Sequence, residues 1–248
     1  MTTASDRFRF WTVTVAALLT AALTASLGVW QLSRAAQKQA MQARVEQQAR
    51  LPAWDTATLL AAQHPDEALY RPVSLDGHWV AGSSVFLENR QMNSRNGFFL
   101  ITALRLSGSE RAVLVQRGWV PRDFTDRTHL PEIATTTEAV HIQGRLAAAP
   151  GRLFQLGEAG TGSIRQNIDI AAYAQETGMA LLPFSVLQID PPSDGLLRDW
   201  SPITFDVSRH YGYAFQWFAL CALVAFLYVW FQIISPRRKR TVHGLHPR

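Results

Sequence analysis

The chain is 248 residues long and 48% hydrophobic, with 24 Lys+Arg, 19 Asp+Glu, a formal net charge of +5 and one cysteine. The lone Cys221 excludes an internal disulfide framework, a thiolate metal site and copper delivery by a Cys-x-x-x-Cys pair. Residues 1–9 and 235–248 hold 7 of the basic and 1 of the acidic residues, leaving 17 and 18 between them, so the positive charge belongs to the tails and no nucleic acid partner is called for.

In chain order, residues 1–9 are a short tail carrying Arg7 and Arg9. Residues 10–32, "FWTVTVAALLTAALTASLGVWQL", are 23 residues without a charge. At about 1.5 Å per residue they are long enough to cross a hydrocarbon core of roughly 30 Å. A cleaved signal peptide is the competing reading, with Arg7 and Arg9 as its basic region and Ala25 and Ser26 near its end. The apolar run is longer than such segments usually have, so an uncleaved anchor is expected. Residues 33–69 form a helical extension and linker: 33–50 is rich in Ala, Gln, Arg and Lys and contains neither Gly nor Pro.

Residues 70–209 read as one mainly β domain. Alternating apolar runs between turn residues place strands near 71–80, 84–90, 97–106, 111–119, 138–147 and 184–190, with "SGSE" as a hairpin turn. The stretch 169–179, "DIAAYAQETGM", is a helix with Asp169 as N-cap and Gly178 near its stop. "PPSDG", 191–195, is a loop before the chain returns to the membrane. No Gly-x-Ser-x-Gly elbow, His-Glu-x-x-His pair or phosphate loop occurs, and His64, His78, His129 and His141 are too dispersed for ligand spacing. "VLVQRGWVPRD", 113–123, is more pointed. It is either a structural strand end or a place where Arg117 and Arg122 grip a carboxylate, such as a haem propionate or a partner's acid. Arg71, Arg90 and Arg95 raise the same question with weaker signals.

Residues 211–234 are again free of charge, 24 in a row, and the tail at 235–248 follows with Arg237, Arg238, Lys239 and Arg240. A buried core helix fits this run poorly, because the basic block reads as a cytoplasmic flank beside anionic lipids. Two spans put both termini on the cytoplasmic side of an inner membrane and the β domain in a periplasm-like space. "GVWQ", 28–31, and "RHYGYA", 209–214, then share the outer leaflet level. Helical spacing gives His210 a face with Tyr213, Ala214, Trp217 and Cys221. Gly28 and Gly212 permit close approach of a helix or a flat ring. His210 is either an interface residue or an iron ligand, and Trp30, Tyr211 and Trp217 also suit a plain interfacial aromatic belt.

Taken in order, "GVWQLSR" with Lys38, "YRPVSLDGHW", "VLVQRGWVPRD", "VHIQGRL" and "HYGYAFQWF" resemble the motifs of the surfeit-locus protein 1 family, over about residues 10–234. The resemblance implies a two-span inner-membrane assembly factor of haem-copper cytochrome oxidase, not an enzyme. It would carry haem A toward oxidase subunit I, with haem A synthase as a further partner, or act as a scaffold for a subunit I intermediate without binding haem. His210 matches the family's haem-holding histidine and implies the metal ligand; Gly28, Trp30 and Gln31 match its first motif. Arg117, Gly118 and Trp119 match its central one. Arg209 stands where many relatives carry Asn, and Ile164 lies where they carry Trp. Trp30, Tyr213 and Trp217 would pack against the macrocycle, with Arg117 or Arg209 at its propionates. The expected fold class is a membrane protein of α+β type: two transmembrane helices flank a mainly antiparallel β extramembrane domain with one or two helices.

Overall fold

The computed structural model describes residues 4–123, 130–151, 153, 160 and 162–235. His129 and the basic tail from 236 onward lie outside the described residues. The chain forms two compact units, Met1–Ala43 with Thr204–Arg248, and Arg44–Ile203.

The first element, α1 (Ala4–Ala49), is an unbroken helix of 46 residues. Its hydroxyl side chains do not interrupt it, because Thr12, Thr14, Thr20, Thr24 and Ser26 each donate to the carbonyl four residues back. Polar groups on an apolar helix are thereby satisfied by its own backbone. The segment read as linker after residue 50 contains β1 (Trp54–Asp55), α2 (Thr56–Ala61) and a 3-10 turn (Pro65–Ala68). Asp55 caps α2 by accepting from the Thr58 N–H at 2.8 Å.

The strands follow as β2 (Pro72–Trp79), β3 (Val85–Met92), β4 (Arg95–Leu106), β5 (Ala112–Pro121), β6 (Ala139–Ala147), β7 (Ile164–Arg165) and, after α3 (Ile170–Thr177), β8 (Leu181–Gln188). Asp169 caps α3 through the Ala172 N–H at 3.0 Å, and Gly178 ends it at φ 69°. The sheet order is β1-β2-β6-β8-β5-β4-β3-β7, and β2 also pairs with β4. Strands β2, β6, β8, β5 and β4 therefore close into a ring.

The sheet is mixed, with antiparallel pairings in the majority as the mainly antiparallel expectation had it, and parallel ones added. β5–β8, β1–β2 and β3–β7 run parallel, while the other five pairings are antiparallel. The cause is the long connection through β7 and α3, which brings β8 back in the same direction as β5. Inside the ring pack Leu75, Leu104, Val113, Val115, Ile142 and Phe184. On its outer face Ile170 and Tyr173 of α3 cover Leu87, Ile101 and Leu114. Because β5 is covered on both faces, every residue from Ala112 to Val120 is buried, which explains why its sequence does not alternate. The ring closes where Gly77 faces Leu106 and Arg105 of β4; a Cβ there would lie 2.3 Å from the Arg105 carbonyl oxygen.

The last helix, α4 (Ser208–Tyr228), continues as a π-helical turn over Val229–Ile234. Asp206 starts it: its carboxylate accepts from the Ser208 N–H at 3.0 Å and the Ser208 hydroxyl at 2.6 Å. These bonds, with Arg209 and Lys38 nearby, hold the Asp206 carboxyl below its ordinary range. A depressed carboxylate stabilises the fold above its unfolded pKa and stops doing so as pH falls through the folded value. Protection of the amides at residues 208–211, measured against their intrinsic exchange rates, is therefore expected to fall as the pH drops below the ordinary Asp range, and Asp206→Asn to remove that acid dependence. Unchanged acid behaviour in the variant would show that the Asp206 carboxylate is not the titrating element. The stretches Arg7–Ala49 and Ser208–Ile234 are both long and apolar enough to cross a membrane.

Candidate functional site

The two long helices meet along one stripe each. Between residues 14 and 38 of α1 the less exposed positions are Thr14, Ala17, Ala21, Thr24, Gly28, Gln31, Ala35 and Lys38, flanked by Ala25 and Leu27. From residue 207 through α4 they are Val207, His210, Ala214, Trp217, Cys221, Val224 and Tyr228. Both stripes step alternately by three and four residues, the spacing of a coiled-coil seam. Small side chains dominate on α1 and larger ones on α4, which lets the backbones approach.

Four bonds fix the register: Lys38 Nζ donates to the Asp206 carbonyl at 3.1 Å, His210 Nδ1 lies 2.8 Å from Gln31 Oε1, Cys221 Sγ donates to the Ala21 carbonyl at 3.4 Å, and Thr14 and Tyr228 hydroxyls stand 3.0 Å apart. Numbers rise along one helix as they fall along the other, so the pair is antiparallel. Gly28 lies under the Phe218 ring, whose carbons would be 2.8 Å from a Cβ at that position. Gly212, the other glycine singled out for close approach, meets nothing within 4 Å.

The His210–Gln31 pair is the chemically pointed feature. Both side chains are half-buried. Gln31 presents its carbonyl oxygen, which only accepts, so this bond is made by the tautomer that carries its proton on Nδ1. The Nε2 lone pair is then unused by any hydrogen bond among the described residues. A neutral imidazole with a free Nε2 is a donor that suits a haem iron. Among the described residues no three His, Cys, Asp or Glu side chains cluster as a metal site, so a closed multi-ligand centre is not built here. A single axial ligand needs no such cluster.

The remaining residues singled out from the sequence fall in different places. Trp217 lies on the seam one turn beyond Ala214. Tyr213 and Trp30 stand off it, 51% and 50% exposed, and the Arg34 guanidinium lies 5.6 Å from the Trp30 ring centre. Arg209 points outward, its side chain 83% exposed and 3.5 Å from Asp206.

Arg117 belongs to the other unit, 44–203, and is buried there. Its guanidinium lies 4.6 Å from the Trp79 ring centre, donates to Thr135 Oγ1 at 3.1 Å and the Ala134 carbonyl at 3.3 Å, and stands 3.8 Å from Asp194. Burial lowers its pKa, with Asp194 partly opposing. The buried Arg198 donates to the Arg117 carbonyl at 2.7 Å and also to the Pro191 carbonyl, so the 190–198 loop is pinned to β5. Trp119 is buried, and its indole N–H donates to the Arg90 carbonyl at 2.9 Å. Gly118 admits Leu196, whose Cβ would stand 2.7 Å from one on the glycine. The Arg-Gly-Trp motif thus joins three segments of the domain interior. Arg90 is used similarly, donating to the Gly151 and Gln166 carbonyls at 2.7 and 2.8 Å.

One constellation is not visible in the sequence. His141 of β6, a dispersed histidine by spacing, bonds Asp76 Oδ1 through Nδ1 at 2.8 Å and Ser74 Oγ through Nε2 at 3.0 Å. Ser74 and Asp76 share one face of β2, and Asp76 is the cross-strand partner of His141. The His141 and Asp76 side chains are 53% and 60% exposed, so this row is solvated rather than walled into a pocket. Only the strand pairing, which spacing does not reveal, brings the three together.

The sequence pattern of the SURF1 family matches residues 18–222. The chain is 23% identical over 222 residues to a SURF1-like protein of Rickettsia bellii, covering 85% of this chain and 87% of that protein. A SURF1-like protein of Rickettsia conorii is 23% identical over 229 residues, with the same coverage of each chain, 85% and 87%. The cytochrome oxidase assembly protein SHY1 of Saccharomyces cerevisiae is 27% identical over 97 residues, which is 39% of this chain and 25% of that protein.

Proposed function

The chain belongs to the SURF1 family, and from that premise we propose that it is a membrane-bound assembly factor of cytochrome oxidase that holds haem A on His210 for delivery to subunit I. The observation that carries this reading is the His210–Gln31 bond, which leaves one imidazole nitrogen free at the end of the helix pair. The similarity to a yeast protein named for cytochrome oxidase assembly supports the process served.

In this reading both long helices cross the membrane. Their outward faces are largely apolar, with Leu18, Leu19, Phe215 and Phe226 each at least 60% exposed, as a lipid environment favours. The basic residues after Ile234 orient both termini to the cytoplasm and the ring-shaped domain to the periplasm. Haem A is cargo here, and its iron supplies the open coordination position. His210 binds through Nε2, while Trp30, Tyr213 and Trp217 offer aromatic faces beside it. Arg209 is assigned to a propionate, because it is exposed at the same helix end. Arg117 is spent inside its own unit and is left out of that role. The domain contributes a firm surface for the oxidase subunit, and haem A synthase is the natural donor.

The test is to purify the full chain in detergent from cells that make haem A and to record its spectrum and its co-purifying proteins. The expected result is bound haem A together with subunit I. Subunit I without any haem would replace the carrier reading by that of a scaffold.

A further inference from the structure

We propose that Gln31 is the positioning residue of His210: its side-chain carbonyl fixes the proton on Nδ1, and thereby makes Nε2 the one lone pair the imidazole can offer. The role toward haem rests on the function proposed above, whereas the tautomer is a property of the protein alone.

Gln31 and His210 occupy facing positions of the two helical stripes and meet at 2.8 Å, the length of a well-formed N–H···O bond. A neutral imidazole carries one N–H and one bare nitrogen, and the partner of the first decides which is which. An amide oxygen has no proton to give. The nearby charges do not compete for this proton. Arg34 donates to Gln37 Oε1 at 3.1 Å, Lys38 to the Asp206 carbonyl, and Arg209 pairs with Asp206. The bond also sets direction, since a ring tethered at Nδ1 and rooted in α4 has few orientations left for Nε2. Partners of this kind commonly change metal affinity by about 10–100-fold when removed, because they orient the ligand and raise its basicity.

The decisive measurement uses the haem-free full chain in detergent micelles with 15N-labelled histidine. Wild-type His210 is expected to show a protonated Nδ1 and a bare Nε2 at a pH where the ring is neutral. Gln31→Met, similar in length but without the strong acceptor, should lose that preference and place the proton on Nε2 in a substantial fraction of molecules. Gln31→Glu should retain the Nδ1–H tautomer. On protein loaded with haem A, Gln31→Glu should lower the reduction potential relative to wild type, and Gln31→Met should weaken haem retention about 10–100-fold. A wild-type ring protonated at Nε2, or a tautomer indifferent to Gln31→Met, overturns the proposal. If the tautomer behaves as expected and wild type never carries haem, the positioning role stands and the carrier function falls. A haem that depends on His210 but not on Gln31 keeps the carrier function and removes the positioning role.

Discussion

His210→Ala is expected to cost the full chain more than about 100-fold in haem affinity, a larger loss than removing an outer-sphere partner produces. The substitution deletes the proposed iron ligand and leaves Gln31 Oε1 without its partner on the ring, yet it opens little of the seam, because Ala214, Trp217 and Cys221 keep their places on the same stripe. The variant should still insert and fold. Its far-ultraviolet circular dichroism should match wild type while the haem band of the purified protein disappears. Full retention of haem with an unchanged spectrum would remove His210 from the site. Adding imidazole to the variant provides a second readout: recovery of the wild-type haem spectrum would locate the defect at the missing ligand and not in the packing of the helix pair.

Gly77→Val should produce the largest loss of stability. The ring is closed by only three residue pairs between β2 and β4, and at Gly77 the Arg105 carbonyl oxygen lies 2.3 Å from where a Cβ would be, with Leu104 Cγ at 3.0 Å. Neither neighbour is the loose end of a flexible side chain, so β2 and β4 must separate. Their separation exposes Leu104, Leu106 and Val113 from the interior. Overpacking at such a site costs about 3 kcal/mol or more. Urea denaturation of the full chain in detergent, followed by tryptophan fluorescence, should show a clearly lower midpoint for the domain transition. A midpoint equal to wild type would mean that the β2–β4 seam does not close the sheet in solution.

Local structure was largely readable along the chain, and pairing was not. Alternation and turn residues located the six principal strands and α3 with both of its caps, because those signals act within a few residues. The two-residue strands β1 and β7 have no period to detect, and α2 is too short for a helical stripe. The parallel β5–β8 pair could not be read either, since periodicity shows which face is buried and never which strand lies alongside. The same limit applies to the sites. Spacing gave the α4 face with His210, and the two-span frame set residues 28–31 at its level, but only the folded register selects Gln31. It also separates Arg117 from Arg209: both are basic residues beside aromatics in the sequence, and one is interior while the other is exposed. His141, Asp76 and Ser74 were invisible because 65 residues divide the ring from its carboxylate.

The His210–Gln31 and Thr14–Tyr228 rungs of the helix seam have a consequence for a bilayer around it. From His210 to Tyr228 is 18 residues, or about 27 Å of helix, close to the thickness of a hydrocarbon layer. Between them the seam is packed by small and apolar groups, with the Cys221–Ala21 contact as its one further hydrogen bond among the described residues. A bilayer of that depth leaves each polar rung at a headgroup boundary, and a thicker one draws a rung into hydrocarbon or straightens the helices to avoid it. Sliding one helix by a heptad sets Gln31 against Trp217 and parts it from the imidazole. For a helix pair that crosses the bilayer as proposed, membrane thickness would thus be a parameter of the His210–Gln31 contact, and lipid chain length a means of tuning it.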